Sequence, residues 1–234
     1  MSVVIIGASR GLGRALATGL ADAGHTVVGV ARTVPESEPA WIAADLARPT
    51  DAADRIAAGI GDDVDTIIWN VGIWERQAFT DAYDFTAAGE AHDAEVETLI
   101  TTNVTAAVIV LRRLLPALLR QDRPRVIITG STSGLAGSGR PEVAFGASKH
   151  AIHGIADALR EGYRADRLAV TTMQLGYLNT EDGLDVPELD AAERGAGTLI
   201  PVHDIVKIVR TLLELSPAAF VRDLTLPAIL DGRF

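Results

Sequence analysis

The chain has 234 residues, 48% of them hydrophobic, which is enough apolar material for one buried core. Its formal net charge of −10 argues against a general surface for nucleic acid or anionic membranes, so a phosphate-bearing ligand needs a local site. There is no cysteine, and the histidines show no metal-ligand spacing, so we expect neither disulfides nor a metal. No basic leader and no uninterrupted apolar run of ~18 residues is present, so we expect a cytoplasmic protein without a membrane span.

The first half of the chain predicts four strands that alternate with helices. Strands are predicted at 2–6, 26–30, 41–44 and 65–69, and helices at 14–23 and from Pro49, where proline favours a first helical turn. The stretch 73–91 is polar and poorly periodic, so we expect a loop there.

The second half continues the alternation. Helices are predicted at 93–120, 145–164 and 202–215, and strands at 125–129, 168–174 and 223–226. The segment 176–200 is irregular and acidic, and we interpret 177–200 as a substrate lid. The pattern predicts an α/β fold: one Rossmann-type, doubly wound parallel sheet of about seven strands, with helices on both faces and a single domain over 1–234.

A glycine-rich turn follows the first strand, with the sequence Gly7-Ala8-Ser9-Arg10-Gly11-Leu12-Gly13. Glycines allow a tight turn and let a pyrophosphate approach the helix N-terminus, where free N–H groups favour anions. The spacing is G-x-x-x-G-x-G, which alone is also compatible with a plain strand-to-helix turn. Its place after the first strand of an alternating chain favours dinucleotide binding.

The end of the second strand indicates which dinucleotide is bound. An acidic residue there would bond the ribose 2′-OH and repel a 2′-phosphate, but this strand ends Gly29-Val30-Ala31-Arg32. Arg32 and Arg10 offer forked contacts to a 2′-phosphate, although both are also compatible with ordinary surface positions. We therefore predict NADP(H), with NAD(H) as the less favoured cofactor.

Further motifs occur at regular places along the chain. They are Asp45-Leu46 after the third strand, Asn70-Val71-Gly72 after the fourth, Asn103 in the long helix, Ser131 after the fifth strand, Lys149 on the next helix, and Gly176 to Thr180 after the sixth. Together with the glycine turn, this order resembles the short-chain dehydrogenase/reductase family from about residue 3 to 226.

The resemblance implies a role for each of these residues. Residues implied to bind the cofactor are Gly7, Ser9, Arg10, Gly11, Leu12, Gly13, Arg32, Asp45, Leu46, Asn70, Gly72, Lys149, Gly176, Leu178 and Thr180. Ser131 would polarise the substrate carbonyl, and Asn103 would share a proton relay with Lys149. Alternatives remain: Asp45 as a turn cap, Asn103 as a solvated helix residue, and Ser133 or Ser138 in place of Ser131.

The segment Phe145-Gly146-Ala147-Ser148-Lys149 departs from the family's Y-x-x-x-K pattern at its first letter. In the family, the tyrosine protonates the carbonyl oxygen, and the lysine lowers its pKa. Phe145 cannot donate, accept or ionise. Because general acid catalysis contributes ~100- to 10,000-fold, we expect turnover by the standard route to be inefficient.

A substitute proton donor would have to come from elsewhere in the chain. Tyr177 follows Gly176 at the cleft and is the possible substitute; Tyr83 lies in a loop able to fold over the site, and Ser131 or water is a slower route. For the tyrosines, ordinary packing is the competing interpretation. Two further departures are Leu175-Gly176 in place of Pro-Gly and Ile6 in place of the leading threonine.

Three hypotheses follow for the function. The chain is an NADP-dependent oxidoreductase with an unusual proton donor, a cofactor-binding regulatory or partner subunit without turnover, or an engineered inactive variant of a reductase. Aromatic residues Trp74, Phe79 and Tyr83 suggest a moderately apolar carbonyl or alcohol as substrate. Nearby Glu75, Glu181 and Asp182 are expected to be solvated loop residues.

The family resemblance implies a homodimer or homotetramer formed through the helices that carry Asn103 and Lys149. Their apolar residues lie on more than one face and include Leu114, Leu118, Ile152, Ile155 and Leu159.

Overall fold

The computed structural model describes residues 1–35, 39–138 and 140–232. Its strands are β1 Ser2–Ile6, β2 Thr26–Ala31, β3 Ala40–Ala43, β4 Thr66–Trp69, β5 Arg125–Thr129, β6 Ala169–Leu175, β7 Leu178–Asn179, β8 Ile200–Pro201 and β9 Asp223–Leu226. Its helices are α1 Gly11–Asp22, α2 Pro49–Ile60, α3 Glu90–Ile100, α4 Ala106–Leu118, α5 Val143–Gly162, α6 Glu188–Gly195 and α7 Val202–Glu214.

Seven strands form one parallel sheet in the order β3-β2-β1-β4-β5-β6-β9. The order reverses between β1 and β4, and in open α/β sheets ligands bind outside the carboxyl ends of strands at such a point. The register pairs Ile6 with Trp69 and Trp69 with Ile128, so these strands end side by side. The predicted α/β fold with about seven strands is confirmed.

Helices cover both faces of the sheet. On one face α2, α4 and α5 pack against it through residues such as Ile56, Leu111 and Ile152. On the other face α1 and α7 pack through Leu16 and Ile205. The central strands β1, β4 and β5 are buried on both faces, so their sequences are mostly continuous apolar runs rather than alternating ones. The edge strands β3 and β9 are partly exposed.

The helix predicted at 93–120 begins earlier and changes its winding. It runs from Glu90 to Leu118 and contains a π-helical segment at Thr101–Thr105, centred on Asn103. By length and composition, this helix is also apolar enough to cross a membrane. Polar residues interrupt its apolar sequence, so it contains no continuous apolar run of the length expected for a membrane span. Much of its apolar surface instead packs into the core, including Leu111, Leu114 and Leu118.

The structure corrects two expectations: that the segment 176–200 is irregular, and that the apolar helix residues need cover from outside the chain. The segment 176–200 is not irregular, because it contains α6 and the two-stranded parallel pair of β7 and β8. Leu114, Leu118 and Ile152 do not need a partner chain to cover them, since each is about 1% exposed within this protomer. Ile155 and Leu159 are partly buried against the same core.

Candidate active site

The glycine turn lies at the point where the strand order reverses. Gly7, Gly11 and Gly13 are each constrained there: a Cβ on Gly7 would lie 2.2 Å from the Asn70 carbonyl oxygen, and one on Gly13 would lie 2.0 Å from the Gly7 carbonyl oxygen. Gly7 and Gly11 also have φ angles of 88° and 51°, which glycine adopts without strain. The turn therefore accepts no other residue at Gly7 or Gly13 without a shift of the backbone.

Within the described part of the chain, no side chain caps the first N–H groups of α1. Arg10, at the capping position, makes no side-chain capping bond, and the first turn, which includes Leu12, contains no acidic residue. Helix N-termini of this kind favour anions through free N–H groups and the helix dipole. Ser9 and Arg10 are exposed beside it, so the turn is open to a ligand.

The residues after β2 and β3 lie at the other side of this turn. Arg32 is exposed directly after β2, and no carboxylate occupies that position. Asp45 accepts a hydrogen bond from the backbone N–H of Ala47 at 3.1 Å, so it stabilises a local turn as the alternative interpretation expected. Leu46 is partly buried next to it.

Two asparagine side chains form hydrogen bonds with backbone groups near the carboxyl end of β4. Asn70 donates from Nδ2 to the Gly7 carbonyl oxygen at 3.1 Å, which ties β4 to the glycine turn. Asn103 bonds both backbone groups of Ile73, accepting from its N–H at 2.9 Å and donating to its carbonyl at 2.8 Å. Asn103 also donates to Ser148 Oγ at 3.0 Å and is 2% exposed, so it is not a solvated helix residue.

Ser131 is oriented from two sides. Its backbone N–H donates to Gln174 Oε1 at 3.1 Å, and its Oγ accepts from the Ser133 N–H at 3.1 Å. The short 3₁₀ turn Thr132–Gly134 that follows packs against α5, where a Cβ on Gly134 would lie 2.9 Å from the Lys149 backbone. Gln174 was not predicted, although a glutamine inside a buried strand is unusual and was the signal that could have identified it.

Lys149 is buried under the turn that follows β4. Its Nζ donates to the Val71 carbonyl at 3.1 Å and the Thr129 carbonyl at 3.3 Å, and it lies close to Gly72. Among the described residues no carboxylate pairs with it. Burial without a counter-charge lowers the pKa of the Lys149 ammonium to about 8.

Phe145 lies within a cluster of aromatic rings, one turn before Lys149 on α5. Its ring packs edge-on against Phe79 at 5.3 Å and Trp74 at 6.3 Å, and it is 5% exposed. The Lys149 Nζ lies 5.7 Å from the centre of the Phe145 ring, within the range of a cation–π contact. Residues 145 and 149 therefore share one side of the helix, as their spacing predicts.

Tyr177 joins the same cluster from the segment after β6. Its ring lies 5.9 Å from Phe79, and its hydroxyl accepts a 2.6 Å hydrogen bond from Arg140 Nη1. Arg140 also stacks over the Tyr177 ring and pairs with buried Asp231. Nothing in the sequence distinguishes Arg140 from the other arginines, so sequence reasoning did not identify it as the residue that positions Tyr177.

Glu75 corrects an expectation, because it is buried rather than solvated. One of its carboxylate oxygens accepts from the N–H groups of Ala144 and Phe145, at 3.0 and 3.3 Å, and so caps α5. The Tyr83 hydroxyl donates to the same oxygen at 3.4 Å and accepts from the Val143 N–H. These two hydrogen bonds place the Tyr83 hydroxyl at the start of α5. Burial, together with the nearby Glu75 carboxylate, raises the pKa of Tyr83.

The segment after β6 closes against the glycine turn. A Cβ on Gly11 would lie 3.2 Å from Thr180 Cβ, and a Cβ on Gly176 would lie 3.1 Å from Pro227 Cα. Leu178 forms β7, and Asp182 is buried, bonded to Asn179 and to Arg194. Asp182 was therefore also wrongly expected to be solvated, while Glu181 is exposed as expected.

These residues fit a dinucleotide on structural grounds alone. The N-terminus of α1, which has no side-chain cap, would hold a pyrophosphate. Lys149 Nζ lies against Gly72, in the segment that follows β4. The glycine positions form a cradle that a Cβ would fill.

Comparison with known proteins gives consistent results. Residues 1–186 match the family model described as short chain dehydrogenase. The NADPH-dependent pterin aldehyde reductase of Arabidopsis thaliana is 33% identical over 201 residues, covering 77% of this chain and 76% of that protein.

Solved structures share the fold. Serine dehydrogenase from Escherichia coli has a TM-score of 0.77 at 19% identity, covering 96% of both chains. A complex of Pseudomonas aeruginosa RhlG with NADP has a TM-score of 0.77 at 22% identity, covering 99% of this chain and 94% of that one.

Proposed function

Because the chain belongs to the short-chain dehydrogenase/reductase family of NAD(P)-dependent oxidoreductases, we propose that it interconverts a carbonyl and an alcohol on a small molecule with NADP(H). The observation that carries this proposal is Lys149, which is buried beside Gly72 and has no carboxylate partner in the part of the chain that the structure describes. An unpaired buried ammonium costs stability, so its presence is better explained by a ligand than by packing.

The preference for NADP(H) rests on charge at the adenosine end of the cleft. Exposed Arg10 and Arg32 flank the glycine turn, and no carboxylate stands at the end of β2 to repel a 2′-phosphate. The relative from Arabidopsis thaliana is NADPH-dependent. The cofactor supplies or accepts the hydride when it is bound there.

The chain's own residues polarise the substrate and supply the proton. Ser131 Oγ accepts from Ser133 N–H, which leaves its hydrogen free to donate to a substrate carbonyl oxygen. Tyr177 accepts from Arg140, so its hydrogen is also free. With Phe145 unable to donate, Ser131 and Tyr177 are the hydroxyl groups proposed to deliver the proton.

The ring cluster favours an aromatic or heteroaromatic aldehyde as substrate. Trp74 is 52% exposed and Tyr177 40% exposed, so the cluster of Trp74, Phe79, Phe145 and Tyr177 presents open aromatic surface. Aromatic rings bind other rings edge-on or offset-stacked. A relative that reduces a pterin aldehyde has a substrate of this class.

The decisive experiment compares the chain with Phe145→Tyr in NADPH oxidation against aromatic aldehydes, including a pterin aldehyde, with NADH in parallel. We expect the tyrosine variant to raise kcat about 100- to 10,000-fold, because it restores the general acid beside Lys149. A matched control is Phe79→Tyr, which adds a hydroxyl to the same cluster away from Lys149 and should not raise the rate.

The other outcomes are equally informative. If the unchanged chain already reduces an aldehyde as fast as Phe145→Tyr, the tyrosine position is not limiting and Tyr177→Phe should remove activity. A rate that is higher with NADH would contradict the cofactor assignment. If only Phe145→Tyr reacts, the chain is a silenced or altered reductase.

A second candidate function is a cofactor-binding subunit without turnover. It is favoured by the burial of Phe145 among rings, which places no ionisable group where the family has its acid. Calorimetric binding of NADPH with no turnover by either version would support this alternative over the oxidoreductase.

A further inference from the structure

A second cavity lies at the opposite edge of the sheet from the glycine turn. It has a volume of about 670 Å³ and is formed by the amino-terminal ends of β5 and β6, the end of α5 and the loop 216–222. None of the residues assigned above to the cofactor or substrate lines it.

Three arginines at this cavity have no carboxylate partner among the described residues: Arg123, Arg125 and Arg167. The other arginines of its wall are neutralised, as Arg160 is by Asp157 and Asp223. In a chain of net charge −10, these three guanidiniums outnumber Asp122, the lining carboxylate that makes no ion pair with another described residue, so the cavity is locally positive.

The two inner arginines have few acceptors for their N–H groups. Arg123 and Arg125 share the carbonyl oxygen of Leu215, at the end of α7, and Arg125 also contacts Met1 Sδ at 3.3 Å. Each guanidinium has five N–H donors. Arg123 Nε is buried with no acceptor, and Arg125 is 8% exposed, so its burial lowers its pKa.

The remaining wall of the cavity is apolar. Leu168, Ala169 and Phe220 line it, and the Phe220 side chain is 44% exposed. A ligand that fits both walls has an anionic head for the arginines and an apolar body for Phe220. Three unpaired positive charges suit a phosphate monoester, which carries ~−1.5 to −2, better than a carboxylate.

We propose that this cavity, lined by Arg123, Arg125, Arg167 and Phe220, is a binding site for a small organic phosphate. The guanidinium forks donate to the phosphate oxygens, and the organic group packs on Phe220 and Leu168. The site is separate from the cofactor cleft, and its occupation does not depend on the proposed oxidoreductase function.

Arg167 offers a variant that separates binding from folding. Its φ is 60°, a left-handed conformation that suits glycine better than arginine. Arg167→Gly removes the charge where glycine relieves strain, so the fold should be as stable or more stable while binding weakens. Arg123→Gln is a second variant, and Arg112→Gln, at an exposed arginine outside the cavity, is the matched control.

The test is titration calorimetry of the full chain with phenyl phosphate, inorganic phosphate and phenol, with and without saturating NADP⁺. We expect one phenyl phosphate per chain, weakened about tenfold or more by Arg167→Gly and by Arg123→Gln, and unaffected by Arg112→Gln or NADP⁺. Affinity should fall with salt.

Several results would overturn the proposal. They are absence of phenyl phosphate binding, displacement of phenyl phosphate by NADP⁺, or equal binding by Arg167→Gly. Equal affinities for inorganic phosphate and phenyl phosphate would show that the organic group does not contribute to binding, which contradicts a site for an organic phosphate. Cofactor binding measured in the same samples reports on the proposed function independently.

Discussion

The ammonium of Lys149 is surrounded by carbonyl oxygens and an aromatic ring, with no carboxylate among the described residues. Its pKa of about 8 means that the folded state binds fewer protons than the unfolded state between about pH 8 and pH 10.5. The charged ammonium therefore destabilises the folded state below about pH 8, and this destabilisation decreases as the pH rises to about 10.5.

Replacement of Lys149 by methionine should remove this pH dependence. We compare the free energy of unfolding of the unchanged chain with that of Lys149→Met. We expect this difference to shift by roughly 3 kcal/mol in favour of the unchanged chain as the pH rises from 7 to 10.5. Denaturant unfolding at a series of pH values measures the difference. The only other lysine provides the control, because exposed Lys207 is paired with Glu188 and Lys207→Met should give no such trend below pH 10. If the difference in unfolding free energy between the unchanged chain and Lys149→Met does not change with pH, the Lys149 ammonium is solvated.

At the scale of elements, the packing of the 3₁₀ turn on α5 sets the geometry between Ser131 and Lys149. Two glycines at this junction differ in the space around them. A Cβ on Gly134 would lie 2.9 Å from the Lys149 backbone, whereas one on Gly146 would have its nearest neighbour at 3.7 Å.

Alanine at these two glycines should therefore have opposite effects. Gly134→Ala should destabilise the protein by about 1–3 kcal/mol, because backbone atoms must move apart. Gly146→Ala, inside α5, should stabilise it by roughly 0.5–1 kcal/mol through helix propensity. Thermal or denaturant unfolding of both variants is the measurement, and equal effects would contradict the described packing.

The sequence predicted the helices and strands better than it predicted the contacts that position the site residues. Apolar runs such as Ser2–Ile6 predicted β1, and the motif spacing placed Asn70, Asn103 and Lys149. The burial of Glu75 was not predictable, because its partners on α5 lie about 70 residues away along the chain. The helix α6 was missed because its first turn is acidic and its apolar pattern is short.

For the whole molecule, association of copies depends on apolar side chains that the single chain leaves exposed. They include Val108 on α4 and Val143 at the start of α5, each 47% exposed. We propose that Val108 and Val143 contact a second chain in a homo-oligomer. Leu114 and Ile152 cannot do so, because they are already buried in the core of the single chain.

Light scattering of the purified chain measures this association directly. We expect a mass of two or four chains, and Val108→Asp should lower it while leaving secondary structure unchanged, because Val108 is not part of the core. A mass of one chain across micromolar concentrations would contradict the proposal.

The central position of β1 has a consequence for synthesis of the chain. β1 leaves the ribosome before β2 and β4, yet it lies between these two strands in the sheet, and β4 begins only at Thr66. Until that residue emerges, one hydrogen-bonding edge of β1 has no partner, and Val3, Val4, Ile5 and Ile6 lack the contacts that bury them completely in the finished fold. Nascent chains in which β1 has emerged from the ribosome but Thr66–Trp69 has not should therefore be held by chaperones, since an unpaired apolar strand edge recruits other chains.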